Sequence, residues 1–303
     1  MRRIIGALLL LVPLAAGCGG SAENADGADR PATGSRTIEA ANGTVTLPAA
    51  AGRIVSLSPT GTEMLFAIGA GERVVAADDY STYPEEAPRT ELSSYQPNAE
   101  AVAGYKPDLV VLSNDQNGIL AALEKLKIPV LLEPAAARLD DSYDQITDLG
   151  AATGHEKQAA DLVADMKKRI DAAVKAAPDG TGLTYYHELD TSLYTVTSKT
   201  FVGQVYSLFG LENIADAADK QGGGYPQLSA EALLEADPGL IFLSHPKGTG
   251  ESADSAAKRP GWSGLSAVKD GNVFTLDDDV ASRWGPRLPD LIEDISAAVE
   301  QAA

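Results

Sequence analysis

One phrase occurs twice in the chain, and this repeat constrains the fold more than any other feature. Residues 95–112 read YQPNAEAVAGYKPDLVVL, and residues 225–243 read YPQLSAEALLEADPGLIFL. Each copy opens on an aromatic, Tyr95 or Tyr225, and continues to a glutamate, Glu100 or Glu231. Each then reaches a proline, Pro107 or Pro238, and closes in an apolar run, Leu109–Leu112 or Leu240–Leu243. The likeness extends further, because TEMLFAIGAGERVVA at 62–76 parallels GQVYSLFGLENIA at 203–215. Two copies of one plan predict two lobes, and 303 residues suffice for both. Work is expected between them.

The pattern around the repeat is that of an α/β chain. Short apolar runs at Ile54–Leu57, Arg73–Ala77, Leu109–Leu112, Pro129–Leu132, Thr184–Glu188, Leu240–Leu243 and Val273–Leu276 read as buried strands. Helical spacing appears at Thr62–Ile68 (with Thr60 or Thr62 as cap), Pro97–Gly104, Gly118–Leu126, Phe201–Phe209, Ala230–Leu234 and Leu288–Gln301. Alternation of the two predicts mainly parallel sheets in Rossmann-like lobes. Asn42-Gly43 marks the turn of a short hairpin over 37–47. From His155 to Ala177 there is neither Gly nor Pro, and Ala159, Leu162, Val163, Met166, Ile170 and Val174 share one face. These 23 residues would span about 35 Å at ~1.5 Å each, a rigid bridge between the lobes. The expected organisation is a leader over 1–17, a tether over 18–36, a first lobe over 37–141, a bridging region over 142–178 and a second lobe over 179–303.

The start reads as an export signal. Arg2 and Arg3 precede an apolar run, Ile4 to Leu14, too short to span a bilayer. Ala15, Ala16 and Gly17 lead into Cys18, the only cysteine. This resembles the lipobox of bacterial lipoproteins, with Leu14 one place early, and implies that Cys18 carries a lipid on the outer face of the cytoplasmic membrane. Residues 19–36 are small, polar and poor in apolar side chains, the composition of a flexible tether. The 43 acidic residues exceed the 24 basic ones, for a net charge of −19, which argues against nucleic acid as partner.

No GxSxG, Walker A or HExxH pattern is present. Gly69-Ala-Gly71 follows a helix and reads as its ending turn. A metal site would draw on His155, His187, Glu188, Asp190 and His245. However, His187 and Glu188 neighbour each other on a strand and point to opposite faces, and His155 at the start of the bridge is expected to be solvated. No metal and no bound cofactor are expected. A metal-dependent or serine hydrolase is a distant alternative without a recognisable nucleophile–base pair. Tyr95 and Tyr225 are instead placed to face one cleft from matched loops, and with Tyr80, Tyr194 and Trp284 they would wall a large, partly apolar ligand. Asp277-Asp278-Asp279 and Arg283-Trp284 follow the last strand, where α/β folds hold ligands. Glu100 and Glu231, matched in the repeat, would engage two equivalent points of a two-fold partner.

With these residues in view, the chain resembles the ABC-transporter substrate-binding proteins whose two lobes are joined by one long helix. Its cobalamin-binding members are the most alike; ferric-siderophore and haem binders share the class. The likeness spans about residues 52–302, through RIVSLSPTGTEMLFAIGAGERVVAADDYSTYP, AEAVAGYKPDLVVL, FGLENIA, YPQLSAEALLEADPGLIFL and SRWGPRL. It implies an extracytoplasmic monomer that captures cobalamin or a related corrinoid and passes it to a permease dimer with a cytoplasmic ATPase, a siderophore or haem being the alternative. It places Tyr80 at a ligand contact and Asp279 through Arg283 on the ligand loop. Tyr95 and Tyr225 fall where cobalamin binders carry tryptophan, and Glu100 and Glu231 match acids that dock on permease arginines. The disulfide of the cobalamin binders is absent, with Phe209 at one of its cysteine positions.

Overall fold

The structure is a computed structural model describing residues 34–178, 180, 182–245 and 249–303. The leader, Cys18 and the tether as far as residue 33 lie outside the described residues. Strands are β1 (Arg36–Ala40), β2 (Gly43–Leu47), β3 (Ile54–Leu57), β4 (Val74–Asp78), β5 (Arg89–Leu92), β6 (Leu109–Leu112), β7 (Val130–Leu132), β8 (Thr184–Glu188), β9 (Glu212–Asn213), β10 (Leu240–Leu243) and β11 (Val273–Thr275). Helices are α1 (Pro59–Ala67), α2 (Ala99–Gly104), α3 (Ile119–Lys125), α4 (Leu139–Thr153), α5 (Glu156–Ala176), α6 (Phe201–Ser207), α7 (Ala230–Ala236), α8 (Ala253–Ala256), α9 (Ser266–Lys269), α10 (Asp278–Ala281) and α11 (Leu288–Ala302).

Two parallel sheets result. The first has the order β5-β4-β3-β6-β7 and the second the order β11-β10-β8-β9. Every residue of β3, β6 and β10 is buried, as central strands covered on both faces require. Each fully buried Leu, Ile or Val among them contributes about 1.5–3 kcal/mol. In each sheet the order reverses beside the first strand, between β3 and β6 and between β8 and β10. Such a switch point opens a crevice at the strands' carboxyl ends.

One face of the first sheet is closed by Val102 of α2 and Ile119 and Leu123 of α3, and one face of the second by Leu233 of α7 and Ala267 of α9. The other faces share one apolar core. It runs from Ile54, Leu65 and Leu109 through Ile146, Met166 and Ile170 to Tyr206, Phe242 and Ile292. The helix α5 is the expected bridge. It packs on α4, where a Cβ on Gly150 would stand only 2.5 Å from that of Ala159, so the two backbones meet there. On its other flank Arg169 reaches Asp290 at 2.6 Å and Glu293 at 2.7 Å on α11.

Local departures from expectation have local causes. The cap of α1 is Ser58, whose Oγ accepts from Gly61 N at 3.0 Å, with Pro59 setting the first turn. Thr60 and Thr62 lie inside the helix, buried. The hairpin turns at Ala41-Asn42, because Ala40 pairs with Gly43. Asn42 instead pins the hairpin to the sheet edge: its amide donates to Val130 O at 3.0 Å and accepts from Leu132 N at 3.1 Å. His155 is not solvated but 2% exposed, tucked into the α4–α5 corner with Nδ1 3.1 Å from Thr153 Oγ1. Among the described residues no helix is long and apolar enough to cross a membrane.

Candidate functional site

The carboxyl ends of both sheets carry the residues singled out in the sequence. Behind β3 and β6, Ser58, Thr60, Ser113 and Asn114 floor a cavity of about 400 Å³. Tyr80, Tyr95, Asp279, Arg283 and Trp284 line the same cavity. Tyr80 and Tyr95 meet edge to face with ring centroids 5.2 Å apart, yet both remain exposed, Tyr95 by 65%. The loop of Tyr80 is held from below: Ser81 Oγ bonds Asp78 Oδ1 at 2.6 Å and lies 2.9 Å from Thr62 Oγ1.

Behind β8 and β10 lies a smaller chamber of about 180 Å³, reached by His187, Ser244 and Tyr225. Asp278, Ser282 and Trp284 line both spaces, so the segment after β11 is their common partition. Tyr225 is 59% exposed and also borders a third hollow with Tyr194, on its other side. The structure therefore groups Tyr80, Tyr95, Asp279, Arg283 and Trp284, sets Tyr225 next to them across Trp284, and leaves Tyr194 farthest out.

The partition is anchored to the first lobe. Trp284 Nε1 donates to Gln145 Oε1 at 2.7 Å, and its carbonyl accepts from Ser142 Oγ. Gln145 in turn donates to Pro134 O at 2.7 Å. Arg283 is 9% exposed and donates to Glu63 Oε1 at 2.6 Å, to Asp279 Oδ1 at 2.8 Å and to Tyr80 O at 3.1 Å. It lines the cavity, but its guanidinium is engaged in holding the walls. Arg287 grips the same Glu63 through Nη2 at 2.6 Å and Nε at 2.9 Å, and stacks 4.2 Å over Tyr83. Glu63 went unread in the sequence. Its one signal is an acid on the inward face of an otherwise uncharged helix.

The histidines are distributed as the strand alternation demands. His187 turns toward the chamber with Nδ1 2.8 Å from Tyr206 Oη. Glu188 turns the other way, to Arg259 at 2.7 Å and His245 at 2.8 Å. Among the described residues no group of three His, Cys, Asp or Glu is arranged to hold a metal ion.

Close to Gln145, Glu133 is buried at the end of β7. Burial first, then the charges of Asp148 and Asp144, push its carboxyl up from 4.5 to about 8. The folded chain thus keeps a proton that the unfolded chain loses, so stability should fall as pH rises between those values. Urea unfolding at several pH values should show this slope, and Glu133→Gln should flatten it. A slope unchanged by the substitution would assign the effect elsewhere.

Glu100 and Glu231 sit in corresponding positions, each the second residue of its helix, after the caps Asn98 and Ser229. Both are exposed. An acid there also favours the helix terminus electrostatically.

The fold agrees with that of known proteins. A family model described as periplasmic binding protein matches residues 54–280. The chain belongs to the periplasmic binding protein family. The uncharacterized ABC transporter substrate-binding lipoprotein YvrC of Bacillus subtilis is 32% identical over 98% of this chain and 96% of its own. A cobalamin-binding protein of Halobacterium salinarum is 31% identical over 82% of this chain and 70% of its own. Among solved structures, the periplasmic heme-binding protein RhuT of Roseiflexus superposes with a TM-score of 0.72 at 26% identity, covering 82% of this chain and 98% of RhuT. This binding protein thus shares with RhuT the two-lobed architecture with mainly parallel sheets.

Proposed function

We propose that this chain is the substrate-binding lipoprotein of an ABC importer. Anchored through Cys18 outside the cytoplasmic membrane, it captures cobalamin or a related corrinoid and delivers it to the permease. The observation that carries the reading is the cleft itself. It lies at the switch points of both sheets, with exposed tyrosines from the first lobe, Tyr80 and Tyr95, and from the second, Tyr225, on either side of Trp284. Flat aromatic faces from two sides suit a large planar ligand. The relatives named as cobalamin-binding and as an ABC transporter lipoprotein support the corrinoid and the importer.

Haem is the second reading. The likeness to RhuT favours it, and so do the exposed phenols, since tyrosine can ligate haem iron. Titrating the purified full-length protein with cyanocobalamin, with haem and with ferric siderophores separates these. Saturable corrinoid binding is expected; saturation by haem or a siderophore alone would overturn the corrinoid assignment.

In this reading Glu100 and Glu231 dock on cationic sites of a two-fold permease. Changing both to alanine should leave ligand affinity within about twofold, because neither lines the cleft, while uptake falls by roughly tenfold or more, as for paired charges at an interface. Loss of ligand affinity in the double variant would contradict this docking role.

A further inference from the structure

We infer that the chamber behind Trp284 is a subsite for one primary carboxamide arm of the ligand, and that His187 and Asp278 together reject the corresponding carboxylate. This rests on the corrinoid reading, since corrinoids carry amide arms whereas haem carries propionates.

The chamber is a distinct space. It shares with the main cavity the lining residues Asp278, Ser282 and Trp284, and its about 180 Å³ suits a short arm rather than a macrocycle. Leu189, Val196, Phe201 and Val202 make its walls largely apolar. Among the described residues no lysine or arginine lines it. A carboxylate placed there would lose its hydration without a cation to compensate, at a cost of several kcal/mol.

The polar groups match an amide. His187 is 1% exposed, and burial, with the nearby His245, pushes its imidazole down to about 3, so the ring is neutral. Its tautomer follows from Tyr206. That phenol is wholly buried and, among the described residues, bonds only Nδ1 of His187, at 2.8 Å. Burial holds its hydroxyl well above the ordinary range, so it keeps its proton. A buried O–H requires an acceptor, and Nδ1 is the one present. The ring proton therefore resides on Nε2, the remaining polar edge of a ring that lines the chamber.

Asp278 supplies the opposite function. It is half-buried and rims both spaces; burial, then the charge of Asp279, raises its carboxyl from the ordinary value, and the nearby Arg283 guanidinium opposes the rise. The chamber thus offers one neutral N–H donor and one carboxylate acceptor. A primary amide satisfies both, its C=O accepting from His187 and its N–H donating to Asp278. A carboxylate satisfies only the first and meets the charge of Asp278.

The test compares cyanocobalamin with its six singly hydrolysed acids, in which one of the a-, b-, c-, d-, e- or g-amides is a carboxylate, by calorimetric titration of the full-length protein. At least one acid should bind roughly tenfold or more weaker than the parent, since a site built for a hydrogen-bonding group rejects the analogue that leaves it unpaired. Asp278→Asn should narrow or reverse that ratio, because an asparagine amide can donate to the carboxylate. His187→Phe should weaken the parent and erase discrimination, and His187→Gln, which retains a donor, should restore part of both. If cyanocobalamin binds while all six acids match it, or if Asp278→Asn leaves the ratio unchanged, the subsite is wrong and the corrinoid reading stands. If cyanocobalamin does not bind, both fall.

Discussion

Replacing Glu63 with alanine should lower the free energy of unfolding by about 3–5 kcal/mol, the range for removing one partner of a buried ion pair. Glu63 is 2% exposed, and its two oxygens receive Arg283 and Arg287 at 2.6–2.9 Å. Without it, two guanidiniums remain shielded from water with their main counter-charge gone. At about 2–4 °C per kcal/mol for a chain of this size, the melting temperature should drop by roughly 6–20 °C. Ligand affinity should fall as well, because Arg283 also holds Tyr80 O and Asp279. Denaturant titration reads the first effect and ligand titration the second. An unchanged denaturation midpoint would mean that the arginines are solvated once released.

Trp284→Ala should reduce affinity for the transported ligand by roughly 30-fold or more, the loss expected of a central aromatic contact worth at least 2 kcal/mol. Among the described residues Trp284 is the one aromatic residue bordering both the main cavity and the chamber while also bonded to α4 through Gln145. Truncation would merge the two spaces and free the segment after β11. Trp284→Phe keeps the ring but not the bond to Gln145, so its affinity should fall between the two. Equal affinities for all three proteins would remove Trp284 from the ligand's contacts. Tyr194→Ala, at the outer hollow, is the natural contrast and should cost far less.

Much of this architecture could be read from residue order. Fully apolar four-residue runs such as Leu109–Leu112 and Leu240–Leu243 have no solvated side, and that alone specifies central parallel strands. The bridge was legible because 23 residues without Gly or Pro keep one apolar face. The helix before it was not read, although Leu139, Tyr143, Ile146 and Leu149 recur at helical spacing; its acids and its glycine obscured the pattern. Tertiary use of polar side chains was the least legible. Glu63 has no motif, and only the crossing of the segment after β11 over α1 makes it a counter-ion for two arginines more than two hundred residues away. For the same reason the bonds by which Arg283 holds the walls of the cavity it lines were not legible. His155 escaped because a corner between two helices buries what a helix start ordinarily exposes.

The apolar core shared by the inner faces of both sheets has a consequence for energetics as well as shape. Because Met166 and Ile170 of the bridging helix belong to the same core as Leu65 on one side and Phe242 on the other, neither lobe can unfold without opening the other's interior. The chain should behave as one cooperative unit, and a ligand gripped at the cleft stabilises all of it at once, in proportion to the logarithm of its concentration over its dissociation constant. The same coupling leaves little freedom for the jaws to swing apart spontaneously. Release of a tightly held cargo would then require work done on the protein from outside, applied where both lobes can be gripped together.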